Sequence, residues 1–301
     1  MTAATHWAAI EETTFVAGIR VLWWAYRWLG RAPFRALLWP VVAWMFVTQP
    51  GARRASRAYL QRVAPQRAPS RIDVLRHFAA FGETLLDKLL ATSGHYAFHR
   101  VRQDGELPPA TGGVIVTAHI GCLELCQALA ERRGDMALKV LVHTKHAQRF
   151  NALLRRLNPA GTIELLQVSE VDASLAARLG AFVEGGGWIA IAGDRVPLQP
   201  SKTVTLPFLG EPAPFPVGAY VLAALWRCPL VFMACYRQGN GHRLVVRTLA
   251  ERVNLPRAQR QAGIEALASR YAALLEQVLG VAPLEWFNFF DFWAPPLARI
   301  K

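Results

Sequence analysis

Two kinds of apolar pattern alternate along most of the chain. Short runs rich in Val, Ile and Leu follow Gly or Pro breaks, as in GVIVTAHI from Gly113 to Ile120, and such runs are typical of buried strands. Longer runs with apolar residues three and four apart lie between them and predict amphipathic helices. The sequence therefore predicts an α/β fold, in which a central, mostly parallel or mixed sheet is flanked by helices and carries an antiparallel hairpin at one edge.

The predicted elements follow one another in a regular order. The strands are GVIVTAHI, ALKVLVH, TIELLQV, WIAIAGD and PLVFMACYRQ, with residues 243–247 as the hairpin partner of the last one. The helices are IDVLRHFAAFGETLLDKLLATSG, LELCQALAERRG, AQRFNALLRRLN, ASLAARLGAFVEGG, PVGAYVLAALWR and a long one over 258–279. A long loop is expected after WIAIAGD. Ligand sites in open parallel sheets lie at the carboxyl ends of strands, where this order places His119 and Asp194.

The N-terminal part of the chain is apolar, aromatic and basic. Between Thr13 and Ile72 there are ten arginines and no acidic residue, and the same span contains Trp23, Trp24, Trp28, Trp39 and Trp44. Aromatic and cationic residues together are typical of a membrane interface. Neither apolar half, 15–30 or 34–47, reaches the roughly 20 uninterrupted apolar residues of a spanning helix, so we expect helices that lie on the bilayer surface. The alternative is a helix pair in a soluble core, which would bury several arginines without evident partners.

These patterns divide the chain into membrane-anchoring helices over residues 1–50 and an α/β domain over residues 51–301. The net charge of +13 favours an anionic partner. We expect an anionic phospholipid surface and no nucleic acid, because the basic segment is too apolar for a solvated groove. The N-terminus lacks the basic region and cleavage site of a signal peptide, so we expect it to be retained.

His119 lies near the end of the predicted strand GVIVTAHI, and Glu124 comes five residues later. If the histidine lies in a turn and the glutamate in the first turn of a helix, the carboxylate can reach back to one ring nitrogen. The other nitrogen is then free to act as a general base. A core histidine bonded to the nearest carboxylate is the default interpretation of this spacing taken alone.

Other reactive residue types give weaker signals. Cys122 is flanked by Gly and Leu in an apolar turn, which predicts a buried structural thiol and not a nucleophile. The pairs His95/His99 and His143/His146 lack a further ligand, so no metal site is predicted. Four cysteines without CxxC spacing predict neither a disulfide framework nor a zinc ribbon, and reduced thiols fit a cytoplasmic location.

Three stretches occur together in the order HIGCLE, GGWIAIAGDRVP and LPFLGEPAPFPVGAYVLAALWRCPLVFMACYR. In this order and spacing they resemble the lysophospholipid acyltransferase superfamily, and most of all its bacterial lipid A late acyltransferase branch, over the range Phe78 to Trp293. The resemblance implies transfer of a fatty acyl chain to a hydroxyl of a lipid or glycolipid at the cytoplasmic face of the bacterial inner membrane. The implied donor is an acyl-carrier-protein thioester or, as second choice, acyl-CoA. No metal or organic cofactor is implied.

The resemblance also assigns roles to individual residues. His119 is implied as the base that deprotonates the acceptor hydroxyl, and Glu124 as its orienting partner. Arg195 is assigned to the oxyanion or a phosphate, where a guanidinium suits the developing charge. Asp194 is assigned to holding Arg195 or the loop in place, and Lys202 to a phosphate or carrier contact.

The C-terminal stretch PLEWFNFFDFW departs from the pattern of the lipid A branch. Asn288, Phe290 and Asp291 stand where basic residues are common in lipid A enzymes, which argues against lipid A itself as the acceptor. Two alternatives stay open at this point. One is a thioesterase-type hydrolase that uses the same His and Glu to activate water, and the other is a non-catalytic membrane-binding or scaffold protein with the acyltransferase fold.

Overall fold

The computed structural model describes residues 23–24, 26–109, 112–134, 136–142, 164–168, 171–196 and 202–294. The strands in these ranges form a seven-stranded sheet and a separate two-stranded sheet. The strands of the large sheet are β1 (Val101–Asp104), β2 (Gly113–Thr117), β3 (Leu138–Val142), β4 (Glu164–Gln167), β5 (Trp188–Ala192), β8 (Leu230–Gln238) and β9 (Gly241–Ala250). The strands of the small sheet are β6 (Thr203–Phe208) and β7 (Glu211–Pro216).

The described helices form two groups around the large sheet. The first group consists of α1 (Arg31–Thr48), α2 (Pro50–Val63), α3 (Arg71–Thr92) and α4 (Leu123–Arg133). The second consists of α5 (Ala173–Glu184), α6 (Gly218–Trp226) and α7 (Arg260–Val281). Helix α3 packs on α1, α2 and α4, while α6 packs on α5, α7 and β2. The helix predicted for AQRFNALLRRLN lies outside the described residues.

The strand order of the large sheet is β1-β9-β8-β2-β5-β3-β4. The strands from β8 to β4 are parallel, whereas β9 runs antiparallel to β8. The predicted α/β fold with a mostly parallel, mixed sheet is therefore confirmed. Strand β2 lies at the centre and all of its residues are buried, which explains its unbroken apolar sequence.

The position of the antiparallel hairpin differs from the prediction. Strands β8 and β9 pair as expected, but β9 is not an edge strand, because β1 adds to it in parallel with Val101 opposite His242. The sequence of β1, VRQD, has two exposed residues in the middle and lacks the apolar pattern of the inner strands. Such a short, polar strand is ordinary at a sheet edge, where it discourages pairing with another chain.

The long loop predicted after β5 contains a β-hairpin, formed by β6 and β7. Val204, Leu206 and Phe208 are buried while the residues between them are not, which is the alternation of a strand with one covered face. Leu209 and Gly210 connect the strands with φ values of 51° and 84°, the left-handed conformation of a tight hairpin turn. The four prolines in these strands hid the hairpin, because proline is uncommon inside sheets.

Helix α1 packs on α3 through apolar and charged contacts. Its buried face consists of Phe34, Leu38 and Val42. Arg31 pairs with Asp87, and Arg35 pairs with Glu83. Arginines in this segment were expected to lack partners if the helices packed on a core, and these two have carboxylate partners on α3.

The outer side of α1 and of the short helical stretch before it exposes large apolar side chains. This aromatic face consists of Trp24, Trp28, Leu29, Leu37, Trp39, Val41, Trp44 and Val47. Among the described helices, none combines the length and apolar character needed to cross a bilayer. The N-terminal membrane-associated segment therefore stays a prediction.

Candidate active site

His119 and Asp194 lie side by side because β2 and β5 are neighbours in register. Thr117, the last residue of β2, pairs with Ala192, the last residue of β5. Each site residue follows two positions beyond this pair. The two side chains therefore occupy equivalent places at the carboxyl ends of adjacent parallel strands, where α/β sheets place their ligand sites.

The ring of His119 is held by Asp194. Nδ1 lies 2.8 Å from Asp194 Oδ1, and the backbone N–H of His119 donates to Oδ2 at 2.8 Å. Because an ionised carboxylate can only accept, Nδ1 carries the proton and Nε2 keeps its lone pair. The side chain of His119 is 34% exposed, whereas that of Asp194 is fully buried. A histidine held in this way is suited to act as a general base.

The carboxylate of Asp194 accepts two further hydrogen bonds. Oδ2 accepts from Trp286 Nε1 at 2.8 Å and from Asn288 Nδ2 at 3.0 Å. Burial alone would raise the pKa of Asp194, but the charge and hydrogen bonds of His119, together with the charge of Arg195, bring this pKa well below its usual range. Asp194 is therefore an ionised carboxylate with a fixed orientation.

The turn that carries His119 is joined by backbone hydrogen bonds to a C-terminal segment. The N–H of Gly121 donates to the carbonyl of Glu285 at 2.8 Å, and the N–H of Phe287 donates to the carbonyl of His119 at 2.9 Å. Gly121 has a φ of 53°, and a Cβ at this position would collide with the carbonyl of Cys235. Only glycine fits this turn, which explains why the residue two positions after His119 is a glycine.

Arg195 lies next to the histidine and is held by the same C-terminal segment. Its Nε donates to Asn288 Oδ1 at 2.9 Å, and its Nη2 donates to the carbonyl of Phe287 at 3.1 Å. Burial lowers the pKa of His119 most, and the charge of Arg195 lowers it further. The carboxylate of Asp194 raises this pKa but does not fully offset the two effects. Near neutral pH the histidine is therefore neutral, and its Nε2 can accept a proton.

A sequence model of the bacterial lipid A biosynthesis acyltransferase family matches residues 109–294, which is more than half of the chain. The chain belongs to this family. No match to a curated protein was found. The matched range includes every site residue that the sequence predicts. Membership of the lipid A acyltransferase family supports acyl transfer to a lipid as the general activity.

The structure of the described residues does not show the expected contact between Glu124 and His119, and the orienting role of Glu124 stays a prediction. Glu124 Oε1 accepts a hydrogen bond from Lys88 Nζ at 3.0 Å, and within the described ranges no hydrogen bond joins Glu124 to His119. The carboxylate that contacts the ring is that of Asp194, which the family resemblance assigns to Arg195 or the loop. The register of β2 and β5 places Asp194 beside Nδ1 of His119. Glu124, in the first turn of α4, instead pairs with Lys88 on α3.

Two further residues singled out from the sequence lie outside this arrangement. Lys202 is exposed just before β6, where its carbonyl accepts the N–H of Val217, and its side chain has no described hydrogen bond or ion pair. Cys122 is buried, and burial raises the pKa of its thiol well above the usual value. The prediction that Cys122 is a buried structural thiol is confirmed.

Three residues that contact the site were not predicted from the sequence: Trp286, Asn288 and Lys88. Trp286 and Asn288 are two positions apart in an extended segment, so their side chains reach the same carboxylate. The alternation of Trp286 and Asn288 in EWFN could have indicated that both side chains lie on one side of the segment. From the sequence, however, Asn288 is noted only as a substitute for a basic residue. Lys88 lies in an amphipathic helix, where a lysine ordinarily marks the solvated face.

Proposed function

We propose that this protein transfers a fatty acyl chain from a thioester to a hydroxyl of a lipid or glycolipid. The proposed donor is acyl carrier protein or, as second choice, coenzyme A. The observation that supports this function is the His119–Asp194 pair, whose partly exposed ring stands at the carboxyl ends of β2 and β5. Membership of the lipid A acyltransferase family supports the class of reaction.

In the proposed reaction, Nε2 of His119 removes the proton of the acceptor hydroxyl, and the oxygen attacks the thioester carbonyl carbon. The new C–O bond converts the carbonyl to an oxyanion, whose collapse breaks the C–S bond. The thiolate then takes the proton from His119, which leaves an ester and a free thiol. Asp194 stabilises the imidazolium between these steps, and we assign Arg195 to the developing negative charge. No covalent enzyme intermediate is needed, because the thioester is already activated.

We also propose that the enzyme works at the cytoplasmic face of the bacterial inner membrane, with the aromatic face on the bilayer. Trp24, Trp28 and Trp44 are 62%, 70% and 66% exposed, and the exposed Arg54 and Arg57 follow on α2. Exposed tryptophans beside basic residues suit the interface of an anionic bilayer. The enzyme would then meet its lipid acceptor on the surface to which it binds. Lys202 stays a candidate contact for a carrier or phosphate group.

Acyl transfer is tested by incubating the purified protein with vesicles of extracted bacterial lipids and an isotope-labelled acyl-carrier-protein or acyl-CoA thioester. Mass spectrometry of the lipids then identifies acceptor and acyl chain together. We expect labelled lipid from the unchanged protein and none from His119→Ala. His99→Ala, which changes an exposed histidine on another part of the surface, is the matched control and should behave like the unchanged protein.

The product distinguishes the alternative functions. Labelled free fatty acid without labelled lipid would identify a hydrolase and refute acyl transfer. Labelled lipid formed equally by His119→Ala would refute the role of His119. No turnover with any donor would favour the non-catalytic scaffold.

Membrane binding is tested separately by sedimentation with phosphatidylglycerol vesicles. A variant with Trp24→Ser, Trp28→Ser and Trp44→Ser should lose most of the bound fraction, because it removes aromatic anchors from the proposed interface. Leu225→Ser changes a similarly exposed apolar residue on α6 and should bind as the unchanged protein does. Equal binding by both variants would contradict this placement of the membrane.

A further inference from the structure

An ion pair lies beside the turn of His119 and has no part in the reaction proposed above. Lys88 Nζ on α3 donates to Glu124 Oε1 on α4 at 3.0 Å, and the side chains are only 22% and 17% exposed. Glu124 Oε2 lies 3.9 Å from the Sγ of Cys122, the residue just before α4. Charges withdrawn from water in this way act on their neighbours more strongly than charges on the surface.

One face of α3 reaches the turn of His119 in two ways. Phe81 and Lys88 are seven residues apart, which places them on the same helix face. The ring of Phe81 packs on Phe287 with centroids 5.3 Å apart, and the N–H of Phe287 donates to the carbonyl of His119 at 2.9 Å. The same face of α3 therefore has two contacts near the turn of His119. Phe81 contacts Phe287, which is bonded to the carbonyl of His119, and Lys88 contacts Glu124, which follows the turn.

The backbone of α3 at Lys88 is held in place by the residue before it. Asp87 is fully buried and contacts Arg31 of α1 and Arg237 of β8. Moving this part of α3 would break these buried contacts, which is costly. The backbone that carries Lys88 is therefore fixed, and its ammonium is held by Glu124.

We infer that Lys88 is a positioning residue of this acyltransferase, which acts on His119 through charge by compensating Glu124. The inference rests on the proposed role of His119 as the base. The charged groups that act on the ring are Asp194 and Arg195 after β5 and Lys88 on α3, and Glu124 on α4 pairs with Lys88. The ion pair of Lys88 lies at the first turn of α4, five residues after His119. Burial and the charge of Arg195 lower the pKa of His119 most, and the charge of Lys88 lowers it further. Glu124 thus has a role in the site without touching the histidine.

Removing one member of the pair leaves the charge of the other uncompensated. Lys88→Met leaves the carboxylate of Glu124, so the pKa of His119 should rise. Glu124→Gln leaves the ammonium of Lys88, so this pKa should fall. Each shift should be about 0.5–1 pH unit in a partly solvated site. The double variant Lys88→Met/Glu124→Gln removes both charges and should return the pKa to about the value of the unchanged protein.

The pKa of His119 can be measured without any substrate, by NMR titration of the histidine ring Cε1–H signals. The chain has eight histidines, and the signal of His119 is the one absent from His119→Gln. Lys139→Met is a matched control, because it opens another Lys–Glu pair, the 2.7 Å contact with Glu164 between β3 and β4. It should leave the pKa of His119 unchanged, as should Lys88→Arg, which keeps the charge.

Opposite shifts in the two single variants, cancelled in the double variant, would support the inference. Shifts of the same sign, no shift, or a double variant that differs from the unchanged protein would overturn it. Mobility of the His119 ring in Glu124→Gln would also overturn it, by showing that Glu124 holds the ring. Lys88→Gln replaces the Met variant if the latter does not fold. Because the titration is independent of turnover, a lack of acyl transfer would refute the proposed function alone.

Discussion

Two clusters of histidine, aspartate and arginine lie in different parts of this molecule. The open cluster, after β2 and β5, consists of His119, Asp194 and Arg195. The closed cluster, between α1, α3 and the β8–β9 hairpin, consists of Arg31, Asp87, Arg237 and His242. Because the residue types are the same, their composition does not tell which cluster can do chemistry.

The two histidines differ in access to their ring nitrogens. His119 is 34% exposed, whereas the side chain of His242 is 1% exposed. Nδ1 of His242 is bonded to the hydroxyl of Tyr96 at 2.6 Å, and its Nε2 faces Asp87 at 3.5 Å. Burial, with the charges of Arg237 and Arg31, lowers the pKa of His242 to about 3. This ring can neither meet a substrate nor take up a proton near neutral pH.

The two carboxylates also differ. Burial raises the pKa of Asp87 despite the opposing charges of Arg237 and Arg31. The pKa of Asp194 is lowered, because the hydrogen bonds and charge around it outweigh burial. A cluster suited to catalysis therefore combines an ionised, firmly held carboxylate with a ring nitrogen that solvent reaches.

The largest expected effect separates the two histidines by activity. His119→Gln should lower kcat of acyl transfer by about 10³–10⁴-fold, because the base is lost. His242→Gln should leave kcat within about threefold and lower the free energy of unfolding by about 1–3 kcal/mol, because buried partners lose a hydrogen bond. Initial rates and urea unfolding measure both quantities. A similar loss of kcat in the two folded variants would contradict the assignment of catalysis to the open cluster alone.

The next effect separates the two carboxylates. Asp194→Asn should lower kcat by about 10²–10³-fold, because the amide no longer fixes the tautomer of His119 or stabilises its imidazolium. Asp87→Asn should instead lower the free energy of unfolding by about 3–5 kcal/mol, because two arginines lose their buried counter-charge. The measurements are kcat of the folded protein and the urea midpoint. An Asp194→Asn protein with unchanged kcat would remove Asp194 from the site.

His242 of the closed cluster should contribute to acid sensitivity of the protein. The pKa of His242 falls from 6.5 to about 3 on folding, so the unfolded chain binds the proton first. This contribution to stability is complete above about pH 6.5 and is lost as the pH falls towards about 3, amounting to about 3 kcal/mol between pH 6.5 and 4.5. Urea unfolding at pH 7 and 4.5 should show a smaller difference for His242→Gln. An unchanged difference would contradict this origin of acid sensitivity.

The smallest effect sharpens the description of the open cluster. Asn288 donates to Asp194 and accepts from Arg195. Asn288→Ala should lower kcat/KM by about tenfold, because both charged groups lose a buried neutral partner. Its effect on the difference in unfolding free energy between pH 7 and 4.5 should be negligible, since the closed cluster is untouched. Trp286→Phe, which removes the indole N–H to Asp194 together with part of the buried ring, is the companion variant and should lower kcat/KM less.

Elements with a clear pattern could be predicted from the sequence alone. Strand β2 is an unbroken apolar run because both of its faces are covered, and α3 begins after Ser70, whose side chain caps the helix together with Asp73. Strand β1 and the β6–β7 hairpin could not be predicted in this way. The first is too polar and the second too rich in proline, and both exist because neighbouring strands complete their hydrogen bonds.

The sequence by itself determined the α/β architecture and the position of His119 at the end of the central strand, because local apolar patterns encode both. It could not determine the partner of the histidine. Distance along the chain favours Glu124, five residues away, whereas the register that pairs Thr117 with Ala192 brings in Asp194 from 75 residues away. Only the tertiary structure decides such a contact, because sheet register depends on the packing of segments that are remote in the chain.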